Sequence, residues 1–159
     1  MTFLIVLGIY FGILFAFAFL SRRMVAIASL VLCAGAELAR LWTNDLTPLV
    51  AQSGVTIISP PLSSIVAVAL TLLPAILVVA KSPKGKGAKQ LVSALVFATL
   101  GVMLTYGAFS NAVILDSQSR AIVQSILANE RWILTAGIVA ALAEVLLLHR
   151  PHHGNEKSK

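Results

Sequence analysis

Five apolar stretches dominate the 159-residue chain, and each is long enough to cross a lipid bilayer. A helix of about 17–25 apolar residues spans the roughly 30 Å of hydrocarbon in a membrane. Hydrophobic residues make up 58% of the chain and charged residues only 11%, which excludes a water-soluble fold of this size. The sequence therefore predicts an all-α, polytopic transmembrane helix bundle. Its five spans are residues 2–20, 24–42, 62–80, 90–115 and 132–148.

The distribution of positive charge predicts the orientation of this single domain, residues 1–150. Most of the 12 Lys and Arg residues lie in alternate connections. Cytoplasmic loops carry the excess of positive charge, so we expect the N-terminus outside and residues 151–159 as a basic cytoplasmic tail. Residues 2–20 lack a basic n-region and a cleavage site, so we expect them to be retained. The basic residues are Arg22 and Arg23, then Lys81, Lys84, Lys86 and Lys89, and finally Arg150, Lys157 and Lys159.

Both connections on the outer side are predicted to be structured. Residues 43–61 mix aliphatic with hydroxyl side chains, which favours a segment lying in the outer interface; a re-entrant segment is the alternative. Asp45 is expected to cap a short helix that begins near Leu46. Residues 116–131 carry apolar side chains at helical spacing, which predicts an amphipathic helix before the last span, or an extension of the fourth span.

Small residues predict where helices approach one another closely. Gly8 and Gly12 are four residues apart in the first span, and Ala16 extends the same face by one turn. Such a face permits close packing in lipid, where helix association depends on van der Waals contact and interhelical hydrogen bonds. The face packs either within the chain or against a second copy. Tyr10, Thr105 and Tyr106 are each candidates for hydrogen bonds between helices.

Three charged side chains and one proline interrupt the apolar spans. Glu37 and Arg40 are three residues apart and share one helix face, which predicts an intrahelical ion pair; an ion or proton site on Glu37 is the alternative. Glu144 lies near the end of the fifth span and is a second candidate carboxylate. Pro74 leaves the carbonyl of Leu70 without its helical donor, and the hydroxyl of Thr71 is a candidate to cover it.

The basic turn between the third and fourth spans is the strongest electrostatic feature. Its lysines, Lys81, Lys84, Lys86 and Lys89, stand among Gly and Pro residues that do not pack. Each lysine near a membrane surface attracts anionic lipid by about 1 kcal/mol. The expected partner is therefore a bilayer with anionic headgroups, and nucleic acid is not expected.

The sequence contains no pattern that predicts catalysis. The three histidines lie together near the end of the chain, and the single cysteine, Cys33, lies within an apolar span. Neither a nucleophile elbow nor a zinc or nucleotide-binding motif occurs. We expect no enzyme activity, no cofactor and no metal site.

The layout over residues 11–110 resembles the colicin V production (CvpA-type) membrane proteins of bacteria. The matching features are an apolar first helix, the turn Ser21-Arg22-Arg23-Met24, a second helix rich in small residues, and a Gly- and Lys-containing turn that enters the fourth helix. The chain departs from the family at Arg23, which no glycine follows, and at Gln90, where an acidic residue is usual. The resemblance implies an inner-membrane protein of envelope maintenance or export without known enzymatic activity.

Two functions follow as expectations from these observations. The first is a small non-catalytic membrane protein of the bacterial inner membrane that acts as an oligomeric scaffold or as an accessory subunit of a larger complex. The second is a small ion- or proton-conducting channel or permease that uses the intramembrane carboxylates.

Overall fold

The structure is a computed structural model that describes residues 2–21, 25–53, 60–82, 88–112 and 117–148. Within these ranges the chain forms six α-helices and no strand, which confirms the predicted all-α class. The helices are α1 (Thr2–Leu20), α2 (Ala26–Gln52), α3 (Leu62–Lys81), α4 (Ala88–Ala112), α5 (Ser117–Ala128) and α6 (Glu130–Leu148). The predicted features at Arg22, Arg23, Lys84, Lys86, residues 54–59 and residues 149–159 lie outside the described residues.

Four of the helices are long and apolar enough to cross a membrane. These segments are Phe3–Leu20, Ala26–Gln52, Leu62–Lys81 and Gln90–Ser110, which correspond to the first four predicted spans. The helix α6 covers the fifth predicted span but is not among these four, and it carries Glu130, Arg131 and Glu144. The structure thus shows a membrane protein with four candidate spans, while the total of five and the orientation stay predictions.

The helix α2 is longer than the sequence predicted. It runs without interruption to Gln52, so the predicted separate helix beginning near Leu46 is wrong, and Asp45 lies inside a helix rather than at its N-cap. The hydroxyls of Thr43 and Thr47 donate to the carbonyl oxygens of Ala39 and Thr43, at 2.6 Å each. Because these polar side chains find acceptors within their own helix, the polar sequence does not interrupt it.

The core lies among α1, α2, α3 and α4, towards the end of the bundle where α1 ends and α2 begins. Small side chains dominate it because they let apolar helices approach closely in lipid. Three larger side chains, Phe97 and Leu100 of α4 and Leu32 of α2, fill the space between them and are fully buried. The other fully buried members include Ala18, Val25, Ala28, Ala75, Ala94 and Ala98.

Polar side chains of α4 form hydrogen bonds with the end of α1 and with the residue that precedes α2. The backbone N–H of Val25 donates to Ser93 Oγ at 3.2 Å, and Gln90 Nε2 donates to the carbonyl oxygen of Phe19 at 2.5 Å. The first N–H groups and last carbonyls of helices lack partners within the helix, so these bonds satisfy groups that would otherwise be buried without one. This end of the bundle is thereby closed by both packing and hydrogen bonds.

The helices α2 and α3 approach most tightly at Gly35. A Cβ atom there would lie 2.6 Å from the carbonyl oxygen of Thr71 and 3.0 Å from that of Leu70. Pro74 lies inside α3 and has no N–H to donate to the carbonyl oxygen of Leu70. The Cα of Gly35 therefore packs against two backbone oxygens, one of which, that of Leu70, lacks its usual helical donor. The predicted cover by Thr71 is wrong, because its hydroxyl donates to the Ala67 carbonyl at 2.9 Å.

The last two helices, α5 and α6, pack against the rest of the bundle in different ways. The predicted amphipathic helix before the final stretch exists as α5, whose Val123 is buried. Beside it lies a cavity of about 80 Å³ lined by residues of α1, α4 and α5. The helix α6 instead lies against α4 through a small residue, since a Cβ at Gly137 would lie 2.8 Å from a methyl group of Leu100.

Candidate functional site

The small residues predicted to pack in α1 face away from the rest of the chain. Gly8 and Gly12 are exposed, and a Cβ placed at either would meet nothing within 4 Å among the described residues. By contrast, a Cβ at Gly35, Gly101 or Gly137 would meet a neighbouring helix at 2.6–2.8 Å. Glycine therefore serves close packing inside the bundle at three positions, whereas the pair in α1 has no such use within the chain described.

Three isoleucines flank this glycine pair on the same side of α1. Ile5, Ile9 and Ile13 are 60%, 59% and 60% exposed, so they form a ridge beside the flat strip of Gly8 and Gly12. β-Branched side chains hold nearly one χ1 rotamer in a helix and lose little entropy when they pack. We call these five residues the α1 outer face. The third predicted packing residue, Ala16, is half-buried and lies at the end of this face.

The predicted ion pair between Glu37 and Arg40 is present on α2. Arg40 Nη1 donates to Glu37 Oε1 at 3.2 Å, and the two side chains are 67% (Glu37) and 77% (Arg40) exposed. An exposed pair of this kind contributes about 0–1 kcal/mol to stability. Its main effect is to neutralise both charges locally on the surface of the helix.

A cleft of about 270 Å³ opens between α2, α3 and α4. We call it the threonine cleft, because each of the three helices contributes one threonine, namely Thr43, Thr71 and Thr105. Arg40 and several alanines complete its lining. Each threonine hydroxyl donates to a carbonyl of its own helix, at 2.6 Å for Thr43, 2.9 Å for Thr71 and 2.6 Å for Thr105.

Two of the candidate hydrogen-bonding residues, Tyr10 and Thr105, bond to each other beside this cleft. The oxygens of Tyr10 and Thr105 lie 3.1 Å apart. Thr105 already donates to the Gly101 carbonyl, so Tyr10 is the donor and Thr105 the acceptor. The Tyr10 ring also packs on Phe109, with ring centres 4.4 Å apart. These contacts fix α1 against α4 beside the cleft.

The remaining candidate residues lie apart from one another. Glu144 of α6 is half-buried with its Oε1 atom buried. Lys81 is exposed at the end of α3, and Lys89 lies in the first turn of α4. Neither candidate carboxylate, Glu37 or Glu144, is among the described residues that line the threonine cleft.

Sequence reasoning did not identify Gly35 or the association of the three cleft threonines. One signal was available for Gly35, since a proline in α3 exposes carbonyls that only a residue without a side chain can approach. No signal was available for the cleft, because it depends on the relative rotation of three helices. Among the described residues, no group of three or more His, Cys, Asp or Glu residues is placed to hold a metal ion.

Comparison of the chain with protein-family models, with characterised proteins and with solved structures gives no match. The colicin V production family therefore stays a prediction of the sequence, and the functional argument depends on the geometry of this chain alone.

Proposed function

We propose that this protein is a small non-catalytic membrane protein that self-associates through the α1 outer face. It serves as an oligomeric scaffold or as an accessory subunit of a membrane complex. The observation that carries the proposal is the outward position of Gly8 and Gly12, which no described part of the chain covers. A five-span topology with the N-terminus outside, a location in the bacterial inner membrane and a role in envelope maintenance or export belong to the same proposal.

Helices in lipid associate by a different force from helices in water. Lipid tails are as apolar as leucine side chains, so burial from water does not drive association, and close packing must. Glycines four residues apart let two backbones approach until Cα–H groups contact carbonyl oxygens. The ridge of Ile5, Ile9 and Ile13 would then pack into the groove over the glycines of a second copy. A two-fold axis makes such a patch complementary to itself.

Replacing both Gly8 and Gly12 by leucine tests this proposal. The two side chains would hold apart helices that must approach at the backbone, while folding is unaffected because each would point into open space. Native mass spectrometry in mild detergent should show multiples of 16.8 kDa for the unaltered protein and single copies for the variant. A matched control is Gly107→Leu, at an exposed α4 glycine that also has nothing within 4 Å.

The outcome distinguishes the two forms of the proposal. Multiples of the chain indicate a scaffold, and a heteromeric mass that is lost in the double variant indicates an accessory subunit. Association that persists in the double variant, or a monomer without partners when extracted from its own membrane, contradicts the role of the α1 outer face.

A second candidate function is a small channel or permease, which the threonine cleft favours because it brings polar groups between three spans. In this function Glu37 or Glu144 carries the ion or proton. Purified protein in liposomes would then conduct, and Glu37→Gln combined with Glu144→Gln would abolish the flux. Flux from the unaltered protein would count against a purely structural role, and flux that the two substitutions leave unchanged would exclude these carboxylates.

A further inference from the structure

The polar lining distinguishes the threonine cleft from a second concavity between described helices. The groove of about 280 Å³ between α3 and α4 is lined almost wholly by carbon, with Ile65, Val68 and Phe109 among its residues, and suits a lipid tail. The cleft of about 270 Å³ instead presents hydroxyls from three helices. A lipid tail has no donor for these oxygens, so burying them against one would leave polar atoms without partners.

The hydroxyl groups of the cleft can accept hydrogen bonds but have little to donate. Each threonine proton is directed to a carbonyl four residues earlier, and Thr105 already accepts one further bond from Tyr10. A hydroxyl oxygen has two lone pairs, so the oxygens of Thr43 and Thr71 keep acceptor capacity. The cleft therefore selects molecules that bring their own N–H or O–H donors.

The charge at the cleft is neutral overall. Among the described residues of its lining, Arg40 is the one that is charged, and the carboxylate of Glu37 lies 3.2 Å from the guanidinium. Because the positive charge is already compensated, the cleft has no strong preference for anions. The same described residues include no carboxylate that would attract a cation.

The cleft does not continue through the bundle. The fully buried side chains of Leu32, Ala75 and Phe97 close the same three helices towards the end held by Gln90 and Ser93. A molecule that enters the cleft therefore meets a closed floor, so the cleft is a binding pocket in this arrangement of the helices, and conduction through it would require the helices to move apart.

From these observations we propose that the threonine cleft is a hydrated pocket that binds small neutral hydrogen-bond donors of the polyol or amide class. This inference is independent of self-association, since the cleft lies within one chain and does not involve the α1 outer face. The volume admits several water molecules, each of which occupies about 30 Å³ in the liquid. The same space admits a short polyol in their place.

Cysteine labelling tests whether the cleft contains water. The native Cys33 is first replaced by alanine, and one cysteine is then introduced at Ala67, in the cleft wall, or at Leu73, on the outer side of the same helix. The protein is placed in lipid nanodiscs and treated with a hydrophilic, cationic methanethiosulfonate. Leu73 is 56% exposed, whereas Ala67 is half-buried. Exposure alone therefore predicts faster reaction at Leu73→Cys than at Ala67→Cys.

We expect the opposite order, with Ala67→Cys reacting at least tenfold faster. A thiol that faces lipid neither ionises nor meets a hydrophilic reagent, whereas a thiol in a hydrated pocket does both. Ala36→Cys, in the α2 wall of the cleft, should behave like Ala67→Cys, and Ala98→Cys in the core should not react. If both cleft positions react as slowly as Leu73→Cys, the cleft is dry and the inference is overturned.

Protection from labelling tests the class of ligand. Glycerol is expected to slow the reaction at Ala67→Cys several-fold, and sodium acetate at the same concentration to leave it unchanged. Adding Thr71→Val, which removes an acceptor without changing the size of the side chain, should abolish the protection by glycerol. Equal protection by acetate, or protection that survives Thr71→Val, contradicts binding through the threonine oxygens.

Discussion

Replacing Gly35 by alanine is expected to lower the free energy of unfolding by about 2 kcal/mol. Overpacking costs about 1–3 kcal/mol in most cores, and here the new methyl group would lie 2.6 Å from a backbone oxygen of α3, which no rotamer change can move. Alanine returns about 1 kcal/mol through its helix propensity, which does not offset the clash. Denaturant titration in detergent micelles, followed by circular dichroism, measures the change.

The matched control for this prediction is Gly107→Ala in α4. Its Cβ would meet nothing within 4 Å, so only the propensity gain remains and stability should be unchanged or slightly higher. Equal effects at Gly35 and Gly107 would show that α2 and α3 do not approach through the backbone at Gly35.

Replacing Phe97 by alanine is expected to cost about 2–4 kcal/mol. Phe97 is fully buried in the core, so its removal leaves a cavity that the surrounding small residues fill only in part. In soluble proteins the same change costs about 3–5 kcal/mol, and part of that cost is the transfer of the side chain from water. This transfer contribution is smaller here, because the separated helices remain in lipid. The same titration measures the effect.

Phe17→Ala provides the comparison, because Phe17 is 39% exposed on α1 and faces away from the core. We expect less than about 1 kcal/mol for this variant, since lipid occupies the space that the ring vacates. A loss at Phe17 as large as that at Phe97 would mean that α1 is rotated relative to the arrangement described.

The helices themselves could be predicted because their signal is local. Residues 2–20 and 62–80 were predicted as spans, and the structure has α1 at Thr2–Leu20 and α3 at Leu62–Lys81. An uncharged stretch of that length has no other stable conformation in lipid, where helices satisfy every backbone group. The prediction was wrong at Asp45, although aspartate is a favourable N-cap residue. The helix continues through this position because the hydroxyl of the neighbouring Thr43 donates to a carbonyl of the same helix.

The faces of the helices could not be predicted in the same way. The helix α1 is apolar on every side, so its sequence does not distinguish the side that packs on α4 from the side that carries Gly8 and Gly12. The same difficulty applies to Gly35 and Gly137, which look like Gly8 in sequence but lie against neighbouring helices. Hydrophobic periodicity identifies buried faces only where the other face must meet water.

The unequal lengths of α2 and α3 determine which membranes suit this bundle. At about 1.5 Å per residue, the 20 residues of α3 extend about 30 Å and the 27 residues of α2 about 40 Å. The shorter helix matches an ordinary hydrocarbon layer, so the last turns of α2 extend through the headgroups. In a thicker bilayer α3 would be too short for the hydrocarbon layer while α2 still reached across it. This hydrophobic mismatch would favour local thinning of the bilayer around α3 and sorting of the protein towards thinner membranes.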